Sequence, residues 1–230
     1  QLYMMTFYCA VGSYRLKIEQ GHKVPYIQKL GVLHPISTLE FLIWTTLLWE
    51  IMTYQELKEA YVEQCKGLGM DTPPLDTLLD NLVARKLVVK GVGYTGVDAL
   101  YNMLADAFVI PYELSGVKKT ATAVKLFLKG RLSFMETVQV LRSGSMTADE
   151  ARVIDLIRQT PLSTAELVRC FNLNLRDVST PDKLLAGLYP DESSDQAHIA
   201  NEEIFSQNTT PVLQTVANLY LDRKVILEYA

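Results

Sequence analysis

Between residues 37 and 100 the apolar positions predict a helix, a second helix, a third helix and then short strands. Ser37-x-x-Glu40 reads as a capping box, in which the hydroxyl satisfies a first-turn N–H and the carboxylate reaches back. Leu39, Phe41, Leu42, Ile43, Trp44, Leu47, Leu48 and Ile51 follow on more than one face, so this helix is expected to be largely buried, with Trp44 and Trp49 in a core or dimer interface. Thr53-x-x-Glu56 opens the second helix on Leu57, Ala60, Tyr61 and Gln64, and Gly67 to Gly69 ends it. Thr72-Pro73 predicts the start of a third, with threonine as cap and proline at the first helical position. Its stripe is Leu75, Leu78, Leu79, Leu82 and Val83, which turns Asp76, Thr77, Asp80 and Asn81 outward. An apolar strand and a glycine-rich tip follow, and Asp98 is expected to cap a helix through Met103 and Leu104.

The same pattern returns later. Thr147-x-x-Glu150 lies 110 positions after the first box (147 − 37), and Ser163-x-x-Glu166 lies 110 after the second (163 − 53). Ile43/Val153, Trp44/Ile154, Leu47/Ile157 and Leu57/Leu167 match in that register. Thr210-Pro211 then matches Thr72-Pro73 at an offset of 138 (210 − 72), with Leu213 on Leu75, Val216 on Leu78 and Arg223-Lys224 on Arg85-Lys86. The difference of 28 (138 − 110) is an insertion at 172–209, expected as a long loop or one carrying short helices. Matched caps and apolar positions at constant offset point to a duplicated module.

The remaining segments are less periodic. Residues 1–36 mix Tyr3, Phe7, Tyr8, Val11, Tyr14, Leu16 and Ile18 with glycine and proline breaks, which fits strands or an irregular arm equally. Residues 115–146 form a basic connector, with a helix expected from Ser133-x-x-Glu136 and a boundary at Ser143-Gly144-Ser145. The organisation expected is an arm at 1–36, one module at 37–114, the connector at 115–146 and a second module at 147–230.

Composition narrows the function. With 49% hydrophobic and 21% charged residues the chain is an ordinary globular protein. A net charge of −4 argues against a general nucleic-acid binder. The charge is uneven: Arg15, Lys17, Lys23 and Lys29 face only Glu19 before residue 36, whereas Asp191, Glu192, Asp195, Glu202 and Glu203 form an acidic run. Cys9, Cys65 and Cys170 are scattered, without a Cys-x-x-Cys pair, which fits reduced thiols in a cytoplasmic protein. The longest apolar run is too short to span a bilayer, so no membrane association is expected.

These residues resemble the winged helix-turn-helix superfamily, with two copies in tandem, over residues 37–100 and 147–230. The fold class expected is therefore mainly α with small β-wings, an α+β arrangement. The resemblance implies that the third helix of each copy, at 73–85 and 211–222, enters the DNA major groove, and that a wing at 87–96 touches the backbone. The second copy ends on one strand without a visible return, so its wing is absent or is completed by another segment.

Asp76 and Asp80 make the first third helix a poor DNA reader. The second is better suited: Gln214, Thr215 and Asn218 are expected outward to meet bases, with Arg223, Lys224, Lys118 and Lys119 holding phosphates. Gly91, Gly93, Tyr94 and Gly96 spell G-x-G-x-x-G, expected as a wing tip in preference to a dinucleotide site because no alternating strand–helix series surrounds it. His22, His34 and His198 are isolated and no catalytic motif is present, so no enzyme activity, cofactor or metal is expected. Two functions remain: a DNA-binding transcriptional regulator, or a protein-interaction module or adaptor acting on a protein partner or as a homodimer.

Overall fold

The computed structural model describes residues 4–112, 146–188 and 195–230, and the side chains of all of these except 195–207. The chain is α+β, with helices and three small antiparallel sheets. In order, the first half holds β1 (Met5–Ala10), β2 (Ser13–Glu19), β3 (His22–Lys29), β4 (Val32–Pro35), α1 (Thr38–Leu47), β5 (Met52–Thr53), α2 (Tyr54–Gly67), α3 (Leu75–Ala84), β6 (Val88–Gly93) and α4 (Gly96–Leu104). The second holds β7 (Phe108–Pro111), α5 (Ala148–Gln159), β8 (Leu162–Ser163), α6 (Thr164–Asn172), α7 (Pro181–Leu188), α8 (Asp195–Leu221) and β9 (Val225–Glu228). No described helix is long and apolar enough to cross a membrane.

The capping boxes form as their sequences predict. Ser37/Glu40, Thr53/Glu56, Thr147/Glu150 and Ser163/Glu166 each make both reciprocal bonds at the starts of α1, α2, α5 and α6. At α4 the cap is Thr95, with Asp98 as its partner three positions on, and not Asp98 itself. The third helices differ from expectation at their starts. α3 begins at Leu75 behind Pro74, with no side-chain cap. Pro73 precedes another proline, which excludes it from helical geometry. In the second half Pro211 lies inside the long α8 instead of opening a helix. The expected insertion at 172–209 supplies α7 and the first part of α8.

The two halves share one strand order. β1 lies between β5 and β6 in the first sheet, and β7 lies between β8 and β9 in the third. Each central strand precedes its module's helices in the chain. Residues 87–96 therefore form no hairpin: β6 pairs with β1 from Val88↔Ala10 to Gly93↔Met5, and Gly96 is the first residue of α4. A tight hairpin turn needs positive φ. Among the described residues Gly91, Gly93 and Gly96 do not adopt it, whereas Gly21 and Gly31 do. The return strand missing from the second copy is likewise β7, supplied from before α5.

From the third helices onward the two halves correspond at an offset of 137 (212 − 75), one less than the residue types predict. Leu75, Leu79 and Leu82 correspond to Val212, Val216 and Leu219, all buried. Leu87 N–H bonds to the Leu82 carbonyl as Lys224 N–H bonds to that of Leu219, both at 2.9 Å, and the residues between, Lys86 and Arg223, both have positive φ.

Residues 5–35 resolve into β1 and a three-stranded meander, β2-β3-β4. Its turns are Gln20-Gly21 and Leu30-Gly31, each with φ between 47° and 83°, the type I′ form suited to two-residue hairpins. The first sheet has helices on both faces. Ala10 and Val88 face α1–α3, where Ile43, Trp44, Leu47, Leu57 and Tyr61 close one core. Cys9 and Val89 face the other way, into a core shared by α4 and the second half.

Candidate functional site

α3 presents the face that its stripe predicts. Leu75, Leu79 and Leu82 point inward, and Asp76, Thr77, Asp80 and Asn81 are exposed. The Tyr54 hydroxyl donates to Asp76 Oδ1 at 2.5 Å, and that bond raises the Tyr54 pKa. Partial burial, then the charges of Asp80 and Asp76, raise the pKa of Tyr8. Two tyrosines and two carboxylates thus sit on an acidic, hydrogen-bonding surface that phosphates would be repelled from.

α8 is a different surface. Gln214 and Asn218 are exposed, but Thr215 is buried, and its hydroxyl bonds back to the Pro211 carbonyl at 2.8 Å. Thr215 is therefore not outward as expected, because apolar contacts cover α8 on Val212, Leu213, Val216, Ala217, Leu219 and Tyr220 and leave a narrow stripe. Lys224 is not an open phosphate ligand either. Its Nζ lies 3.3 Å from both Glu150 Oε2 and Asp222 Oδ2, with the side chain only 13% exposed. The first half repeats this device: Arg85 lies 3.5 Å from Glu40, the corresponding capping-box glutamate. Each half thus pins its first helix to the turn after its third with one partly buried ion pair.

Arg223 is exposed, and its guanidinium lies 5.5 Å from the centre of the Trp49 ring, within cation–π range. Trp49 also packs on Tyr112 at 5.3 Å. Lys118 and Lys119, with the rest of 113–145 and its expected helix, lie outside the described residues.

Gly91 and Gly93 have a packing role. A Cβ at Gly91 would come within 2.0 Å of the Ala99 carbonyl oxygen, and one at Gly93 within 2.4 Å of Ala99 N. They let β6 lie directly on α4, while Tyr94 is exposed between the two elements. The wing-tip role expected of Gly91, Gly93, Tyr94 and Gly96 is replaced by a strand-to-helix junction.

A cleft of about 750 Å³ lies between the halves, with Lys86, Lys90, Asp106, Glu166 and Arg169 on its walls. Charges of both signs meet there, and Lys86 Nζ bonds the Ala230 carbonyl at 2.5 Å. The three cysteines are buried. Burial pushes the thiol pKa of Cys9 far up and that of Cys170 up to about 11, which keeps both protonated and unreactive. Among the described residues no cluster of His, Cys, Asp or Glu is placed to hold a metal ion.

Two features escape a residue-pattern reading. Tyr220 looks like one more apolar position of α8, yet its hydroxyl accepts from Trp49 N–H at 3.0 Å and lies 3.1 and 3.0 Å from the Ala10 and Leu47 carbonyls. The meander is the other. Its signal is present as Gln-Gly and Leu-Gly pairs flanked by β-prone residues. Comparison with protein-family models, with curated proteins and with solved structures finds no match to this chain.

Proposed function

We propose that the chain is a non-enzymatic adaptor, two winged-helix modules in tandem, which engages a protein partner without reading DNA bases through its third helices. The strand order supports the winged-helix reading: each half has a helix, a short strand, further helices (α2 and α3 in the first, α6, α7 and α8 in the second) and a strand, closed by a three-stranded sheet. The central strand comes from before the helices in both, a rearranged connection with the same neighbours.

One observation carries the choice of partner. The side chains that would meet DNA are acidic on α3, through Asp76 and Asp80, while on α8 Thr215 is buried and Lys224 is held by Glu150. Base readout needs an open polar face flanked by cations that can neutralise phosphates. Among the described residues neither helix offers both.

A DNA-binding regulator is the second reading, favoured by Gln214 and Asn218, exposed on the last two turns of α8, and by Arg223, exposed just beyond it. Arg223→Glu separates the two. The protein-partner reading expects unchanged retention on heparin and on immobilised duplex; a clear drop in both favours DNA.

A further inference from the structure

The β2–β3 hairpin is built to be paired along its open side. β2 is the last strand of its sheet and, among the described residues, pairs only with β3. Tyr14, Leu16 and Ile18 share one face and are 44%, 52% and 76% exposed, an apolar row along an outer strand. Arg15, Lys17 and Glu19 alternate onto the opposite face.

On that second face the single acid is already engaged. Tyr26 donates its hydroxyl to Glu19 at 2.5 Å, and Lys17 Nζ sits 5.1 Å from the centre of the same ring. Arg15 Nε donates to Gln28 Oε1 at 2.8 Å, which holds the guanidinium in place. Arg15 and Lys17 against Glu19 alone leave the face with a net positive charge.

Backbone geometry selects the same residues. In a two-residue hairpin the pair flanking the turn, here Glu19 and His22, is hydrogen-bonded, and bonding alternates from there. The amides and carbonyls of Lys17 and Arg15 then turn toward β3, and those of Ile18, Leu16 and Tyr14 toward the open edge.

We propose that β2 takes up an extended segment of a partner protein as an added strand, one whose side chains alternate between apolar and acidic. Its apolar residues cover Leu16 and Ile18, its carboxylates meet Arg15 and Lys17, and its backbone bonds the open edge. This rests on the protein-partner reading above and names the partner's chemistry. A second copy does not fit in the register centred on Leu16: antiparallel pairing of two β2 strands there sets Lys17 against Arg15, and like charges directly opposite repel.

The test uses the full chain and a synthetic peptide alternating glutamate with valine, alongside a counterpart with lysine for glutamate and a random-sequence duplex. Expected are saturable binding of the acidic peptide, slowed hydrogen exchange at the amides of Tyr14, Leu16 and Ile18, and about tenfold weaker binding of the lysine peptide. Leu16→Pro removes a donor from the open edge without breaking the β2–β3 ladder and should abolish binding. Lys17→Glu, a milder change, should reverse the preference between the two peptides. Equal binding of both peptides, or no protection at those three amides, overturns the proposal. If the duplex is also unbound, the protein-partner reading survives that failure on the α3 surface. If the duplex binds with salt dependence while the acidic peptide does not, both fall.

Discussion

Tyr220 ties the halves together through a single oxygen. Its ring fills the core beside α8, and its hydroxyl joins the turn after α1 and the end of β1, more than 170 residues away in sequence. Tyr220→Phe keeps the packing and leaves the Trp49 N–H without this acceptor. The expected cost is about 1–3 kcal/mol in chemical denaturation; an unchanged midpoint would show that the hydroxyl is dispensable. Glu228 is a second long-range tie: its Oε2 accepts from Leu30 N–H at 2.7 Å. Burial raises its pKa, opposed in smaller measure by that bond and by Lys29. The folded state therefore holds the proton to higher pH than the unfolded chain, whose glutamate titrates at about 4.3. The contribution of this group to stability falls as pH rises from there through the raised folded value. Glu228→Gln should flatten the pH dependence of stability in that window, and a profile identical to wild type would contradict this assignment.

At the scale of elements, what could be read from sequence was what local chemistry decides. The capping boxes at Ser37, Thr53, Thr147 and Ser163 each need only four residues to form, and all four are in place. The buried stripes of α1–α3 followed from periodicity for the same reason. Strand pairing could not be read this way, because β1 reaches β6 across 78 (88 − 10) to 88 (93 − 5) positions and nothing in either strand names its partner. Pro211 misled because Thr-Pro is a good local start signal, yet the helix before it continues through. The candidate site was legible only in part. Exposure of Asp76, Asp80, Gln214 and Asn218 followed from periodicity, whereas the capture of Lys224 by Glu150 depends on a contact 74 positions away. The glycines of β6 were conspicuous, but their reason lies in α4. Gly91→Ala should cost about 1–3 kcal/mol, since the new methyl meets backbone that has no rotamer to move. A fully stable Gly91→Ala protein would show that β6 and α4 can separate freely.

At the scale of the molecule the two halves form one packed unit. The Gly12 N–H reaches the Leu227 carbonyl at 2.7 Å, and Thr164 and Ala165 N–H bond the Ala107 and Ala105 carbonyls, both at 3.0 Å. Cys9 and Val89 of the first sheet lie in the same apolar cluster as Leu167, Val212 and Leu227. α8 packs mainly on α5 and α6 of its own half and also touches α4 of the first, so it does not present the open face that α3 does. The first copy keeps an open but acidic α3, and the projecting hairpin carries the exposed cations Arg15, Lys17 and Lys23. The charge of −4 is thus spread over surfaces of opposite character. The most direct test of a protein-directed function is the binding of the full chain to a pool of random duplexes, followed by fluorescence anisotropy as salt is raised from low ionic strength. No salt-dependent binding is expected at any point. Binding that weakens steadily with salt, in the manner of counterion release, would contradict it.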